Sequence, residues 1–127
     1  MTETNGGTAP VNRQLIVIVG RGDLATFALA WARHTGSVVV FNVGDGLALG
    51  HAPIAMSAVL RIAEKMPVIA TTHTPFALEG VRASEVQVCD GQRLARLTDH
   101  PEFARWSRAL RTDELWANLG EDWVTTS

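Results

Sequence analysis

The sequence predicts an α/β protein: a small parallel three-stranded β-α-β-α-β core, followed by a β-hairpin and two C-terminal helices. Three observations carry that expectation. Residues 15–19, 38–41 and 68–70 are short apolar runs bounded by glycine or proline, the pattern of strands covered on both faces. Between them lie segments whose apolar residues recur at helical spacing. The third is the close alternation of the two kinds of segment. Right-handed crossovers then set the three strands parallel, with helices against the sheet.

Each element has a local reason. Leu15, Ile16, Val17, Ile18 and Val19 form the first strand, and Gly20-Arg21-Gly22-Asp23 turns it into a helix that Asp23 can cap. Leu24, Phe27, Ala28 and Trp31 give that helix one apolar stripe, and Gly36 ends it. Val38-Val39-Val40-Phe41 reads as a second buried strand, broken by Gly44-Asp45-Gly46. Pro53 suits a first helical turn, and Met56, Val59, Leu60 and Ala63 form the next stripe. Pro67 stops this helix before the third strand, Val68-Ile69-Ala70. Past Pro75, where Thr74 is placed to cap a short helix, Glu85-Val86-Gln87-Val88 alternates. Asp90-Gly91 is a hairpin turn, and residues 93–97 return antiparallel. One helix starts near Pro101, with Phe103, Trp106 and Leu110 inward. Another follows Thr112, carries Leu115, Trp116 and Leu119, and ends at Gly120.

Composition bounds what the chain can do. It has 127 residues, 46% of them hydrophobic, enough for one real core. The expected organisation is a flexible polar tail at 1–13 and a single domain at 14–127. A net charge of -2 gives no basic field, so direct nucleic-acid binding is not expected. The single cysteine, Cys89, excludes an internal disulfide framework and a cysteine zinc site, and reads as a small buried hydrophobe. His34, His51 and His100 stand without a second ligand at metal spacing, so no metal is expected. The first dozen residues lack the basic start and apolar core of a signal peptide, and no apolar run is long enough to span a membrane. A cytoplasmic protein is the expectation.

Two places carry chemistry. Gly20-Arg21-Gly22-Asp23-Leu24-Ala25 fits G-x-G-x-x-A, a turn that brings backbone N–H groups to a pyrophosphate. The other is Thr71-Thr72-His73-Thr74-Pro75-Phe76. Its histidine falls at the carboxyl end of a strand, where open α/β sheets bind ligands. The plainer reading of His73 is a hydrogen-bonded loop residue. Trp31, Trp106 and Trp116 fit apolar stripes and read as core, while Trp123 pins the tail or faces a partner. Arg105, Arg108 and Arg111 read as a solvent face laced with Asp99, Glu102, Asp113 and Glu114.

The segment from Pro67 onward resembles the C-terminal lobe of the RecF/SMC-like branch of ABC-type ATPases, which includes the ATPase halves of OLD-family nucleases. Residues 71–76 resemble that family's T-T-H-S-P-F segment, which implies that His73 is a switch histidine sensing a γ-phosphate. Residues 97–106 and 114–124 resemble its closing segment, L-x-D-H-P-x-F-x-x-W and E-L-W-x-x-x-G-E-D-W-V. The likeness covers about the last sixty residues well and implies a P-loop NTPase type of core. It reaches back less fully to Val38, where VVVFNVGDGL stands in place of the Walker B strand.

The departures bear on activity. Phe41 and Asn42 occupy the positions of the Walker B carboxylates, and neither carries one. Asp45 lies three residues further and reaches a metal only if its loop folds back, which is not expected. No G-x-x-x-x-G-K-[ST] is present, and the sole lysine, Lys65, ends a helix. Without lysine and metal carboxylates, phosphoryl transfer loses its electrostatic stabilisation. Several placements of Gly20-Arg21-Gly22-Asp23 stand open: an eroded P-loop, the family's signature helix, a dinucleotide turn with Asn42 in place of the ribose-binding acid, or a tight turn with no ligand.

The resemblance therefore implies a pseudo-ATPase that binds without turnover. It would act as a structural or regulatory subunit in DNA repair or phage defence, paired with a full-length ATPase or nuclease or with itself. Its nucleotide-binding set would be Gly20, Gly22, Asp23, Thr72 and His73, with ATP the possible cofactor and no catalytic residue beyond the His73 match. The alternative is a working nucleotide-binding enzyme, a noncanonical ATPase or a dinucleotide-binding domain centred on Gly20 and Gly22.

Overall fold

A computed structural model describes residues 13–48, 50–90, 93–100 and 103–106. Its elements are β1 (Leu15–Arg21), α1 (Leu24–Thr35), β2 (Val38–Val40), α2 (Ala52–Ala63), β3 (Val68–Thr72), β4 (Val86–Asp90), β5 (Leu94–Arg96) and α3 (Phe103–Trp106). Single 3₁₀ turns lie at Pro75–Leu78, Ala83–Glu85 and Leu97–Asp99. The strands form one mixed sheet in the order β2-β3-β1-β4-β5. The pairs β2·β3, β3·β1 and β1·β4 are parallel, and only β4·β5 is antiparallel. The predicted hairpin strand thus joins the core sheet, running alongside β1.

β1 is central because both of its faces are apolar. Leu15, Val17 and Val19 enter one core cluster with Met56, Val59 and Ala63 of α2. Ile18 enters the other with Leu24 and Ala28 of α1, against which Ile16, Phe27 and Trp31 pack. Removing each such large side chain from water contributes about 1.5–3 kcal/mol. α1 and α2 therefore cover opposite faces. That division follows from chirality: α1 carries the chain outward past β3 to β2, and α2 brings it back. Right-handed crossovers in opposite directions lie on opposite sides of a sheet.

The helix ends follow local chemistry. The Asp23 carboxylate accepts from the Thr26 N–H at 3.2 Å and from the Thr26 hydroxyl at 2.6 Å, capping α1. Gly36, left-handed at φ 68°, ends it and donates its N–H to the Ala32 carbonyl at 2.8 Å. At the other end of the sheet, Arg13 grips Glu85 through Nε to Oε2 (2.8 Å) and Nη2 to Oε1 (2.6 Å). This ties the entry of β1 to the turn before β4.

Several expectations are corrected. β1 runs through Gly20 and Arg21, which pair with Cys89 and Asp90 of β4, so Gly20 belongs to the strand. β2 is shorter than expected and lies at the sheet edge. Val38 and Phe41 are exposed there, because only β3 flanks the strand among the described residues. β3 extends to Thr72 and is buried throughout. Thr74 occupies the cap position of the Pro75–Leu78 turn, but its side chain makes no capping bond. Cys89 is fully buried, as expected. The side chain of Trp106, the Gly91 turn position and residues 107–127, with the second predicted C-terminal helix, lie outside the described residues. No helix among the described residues is long and apolar enough to cross a membrane.

Candidate functional site

β1 and β3 are neighbours, yet their onward connections leave toward opposite faces. α1 packs over the face of Ile18 and Ile69, whereas Ala77, Leu78 and Val81, after β3, join the face of Val17 and Val19. A sheet opens a crevice at the carboxyl ends of such a strand pair, the position where open α/β sheets take ligands. Here the crevice lies between the glycine turn and His73.

His73 is the hub. Its backbone N–H donates to Asp45 Oδ1 at 2.9 Å, and its ring Nδ1 meets Asp45 Oδ2 at 2.8 Å. On the far side of the ring, Nε2 faces the Gly22 carbonyl oxygen at 3.5 Å. The ring is 45% exposed and the Asp45 side chain 23%. The hydrogen bond to Asp45 raises the His73 pKa above its ordinary value. Partial burial opposes that shift, while the Gly22 carbonyl and the Asp45 charge add to it.

Asp45 reaches this place because its loop does fold back, contrary to the expectation. Asn42 is left-handed at φ 55°, and Gly44 and Gly46 follow at φ 77° and 78°. The Val43 N–H then donates to the Thr71 carbonyl at 2.8 Å, and the Asn42 N–H to the Thr71 hydroxyl at 2.9 Å. Three positive-φ residues within five reverse the chain and return Asp45 to the end of β3. The spacing N-x-G-x-G was the sequence signal for this reversal.

The remaining predicted site residues are committed to the protein itself. Thr72, fully buried, donates its hydroxyl to the Val43 carbonyl (2.7 Å), lies 3.1 Å from Asp45 Oδ1, and accepts from the Thr74 N–H (3.2 Å). Asp23 sits across the crevice at the start of α1. The Thr26 hydroxyl, and then its N–H, hold the Asp23 carboxyl below the usual carboxylate range. Gly22 has φ 94°, and Gly20 has φ 134°, where a β-carbon would run into the backbone of Cys89. The glycine turn, Thr72 and His73 thus come together. Phe41 is exposed at the end of β2, and Asn42 contributes its backbone to the loop. Among the described residues no group of three or more His, Cys, Asp or Glu side chains converges.

Electrostatically the crevice is unlike a phosphate cradle. The Asp23 carboxylate bonds the first-turn N–H of α1 that an anion would otherwise take. Asp45 adds a second carboxylate on the opposite wall. No protein-family model matches the chain, and neither a curated protein nor a solved structure is significantly similar to it.

Proposed function

We propose that the chain is a degenerate ATPase-like domain of P-loop type, which works by binding a protein partner and does not hydrolyse nucleotide. The observation that carries this reading is the adjacency of β1 and β3, with the Gly20–Gly22 turn facing His73 across the crevice. A histidine after the neighbouring strand stands within reach of a phosphate held in such a glycine turn, and this arrangement supports the reading. The means of turnover are not. Thr72 is sealed into the protein by Val43, Asp23 fills the helix start, Phe41 and Asn42 offer no carboxylate to a metal, and both oxygens of the folded-back Asp45 are engaged by His73.

The partner is a full-length ATPase or nuclease of the resembled branch, or a second copy of this chain, acting in the cytoplasm in DNA repair or phage defence. The purified protein is expected to show no Mg²⁺-dependent ATPase activity above background. It is expected to elute as a defined oligomer or with a larger partner. Turnover that requires Mg²⁺ and is lost in His73→Ala would overturn the reading. Thermal shift with ATP, ADP and NAD, each with and without Mg²⁺, tests the alternative of a nucleotide-binding enzyme, since a bound nucleotide stabilises the fold by mass action. A shift with NAD alone would favour a dinucleotide site at Gly20 and Gly22.

A further inference from the structure

The His73 ring is held between two acceptors, and that arrangement limits its protonation state. A carboxylate can only accept, so Nδ1 must carry a proton to bond Asp45 Oδ2. The neutral ring has then spent its one N–H, and Nε2 turns a bare lone pair toward the Gly22 carbonyl oxygen, which also only accepts. Two lone pairs facing each other repel. Only the imidazolium, a donor at both nitrogens, satisfies both neighbours.

These neighbours belong to different turns. Asp45 lies on the β2–α2 loop, Gly22 on the β1–α1 turn, and His73 itself follows β3. We propose that His73 is a proton-operated clasp: charged, it ties the glycine turn and the Asp45 loop together over the β1–β3 crevice, and neutral, it releases the glycine turn while keeping Asp45. The Asp45 side is the anchor, with two bonds to His73 from one carboxylate. The Gly22 side, at the outer limit of a hydrogen bond, is the one that opens.

The other charged or titratable groups on the two turns that the ring bridges are Arg21 and Asp23 beside Gly22, and His51 where the Asp45 loop enters α2. The Asp23 carboxylate bonds Thr26, within its own helix. Asp45 is the carboxylate that bonds the ring. The clasp concerns the crevice of the proposed function and rests on that reading only for its use, as a gate on what the crevice or a partner meets.

The test is a nitrogen-15 NMR titration of the full chain without nucleotide, so its outcome is separate from that of the ATPase and thermal-shift measurements. The His73 ring should titrate above the value of free histidine. The amides of Gly22, Asp23 and Leu24 should move with the same midpoint. Asp45→Asn should lower the ring midpoint, and His73→Gln should abolish the pH response of the glycine-turn amides. A ring that titrates at or below the free value, or glycine-turn amides that do not follow it, would overturn the clasp. The wild-type titration decides this even if a variant fails to fold.

Discussion

Gly20 and Cys89 meet backbone to backbone: a β-carbon on Gly20 would fall inside the contact distance of the Cys89 carbonyl oxygen. Neither atom can retreat, since Gly20 and Cys89 are register partners in the central β1·β4 pair. The first glycine of the G-x-G motif is thus required by the sheet itself, independently of any ligand.

Gly20→Ala should therefore cost at least about 3 kcal/mol, combining the clash with the strain of φ 134°. Gly36→Ala is the matched control. It is also left-handed, at φ 68°, but an added β-carbon there meets nothing within 4 Å, so it should cost only about 1–2 kcal/mol. Urea denaturation of the two variants against the parent checks the difference. Equal losses would mean that the Cys89 contact carries no weight.

Thr72→Val keeps the shape of a buried residue and removes a hydroxyl that bonds Val43 and Thr74 and lies beside Asp45. The orphaned Val43 carbonyl should make the change destabilising by about 1–3 kcal/mol. Amide exchange at residues 42–45 should accelerate, because the hydroxyl pins that loop to β3. Denaturation and hydrogen-exchange measurements on the same variant read both effects.

Arg13 and Glu85 are each nearly buried, at 11% and 8% side-chain exposure. Replacing Arg13 by Met leaves a buried carboxylate without its guanidinium, still accepting from the Arg82 N–H at 2.8 Å. A loss of about 3–5 kcal/mol is expected. The Arg13→Met, Glu85→Gln double variant should recover part of it, since no buried charge then stands alone. A double-mutant cycle in urea measures the recovery.

Stability should depend on pH in two windows. The His73 pKa is raised in the folded state, so its contribution is complete below about 6.5 and fades as pH climbs through the folded value. With the ring 45% exposed, the effect should stay under about 1 kcal/mol. The Asp23 pKa is lowered, so its contribution is present above about 3.8 and is lost as pH falls through the folded value. Thermal midpoints from pH 3 to 9 should decline at both ends, and His73→Gln should remove only the upper decline.

Much of this fold was legible in local chemistry. The stripe of Leu24 and Ala28, the cap by Asp23 and the stop at Gly36 depend on residues close in sequence, and all stand as read. What escaped depends on long-range pairing. That Gly20 lies inside a strand follows from Cys89, which only β4 brings near. The edge position of β2 follows from strand order, which apolar content does not encode; Val38-Val39-Val40 looks as buried as β3 but is not. The meeting of Asp45 with His73 spans 28 residues. It needed the backbone signs of Asn42, Gly44 and Gly46 to be read together as one reversal. His73 itself was placed correctly at the end of its strand, but its partners were not foreseen.

The central place of β1 has a consequence for how the chain acquires its shape. The strand precedes both of the partners that flank it, β3 and β4, which begin at Val68 and Val86. During synthesis one edge stays unpaired for about fifty further residues, until β3 is made, and the other for about seventy, until β4 is, and closing such long loops costs entropy before any contact repays it. The nascent chain thus passes through an interval in which Leu15, Ile16, Val17, Ile18 and Val19 are an open template for aggregation.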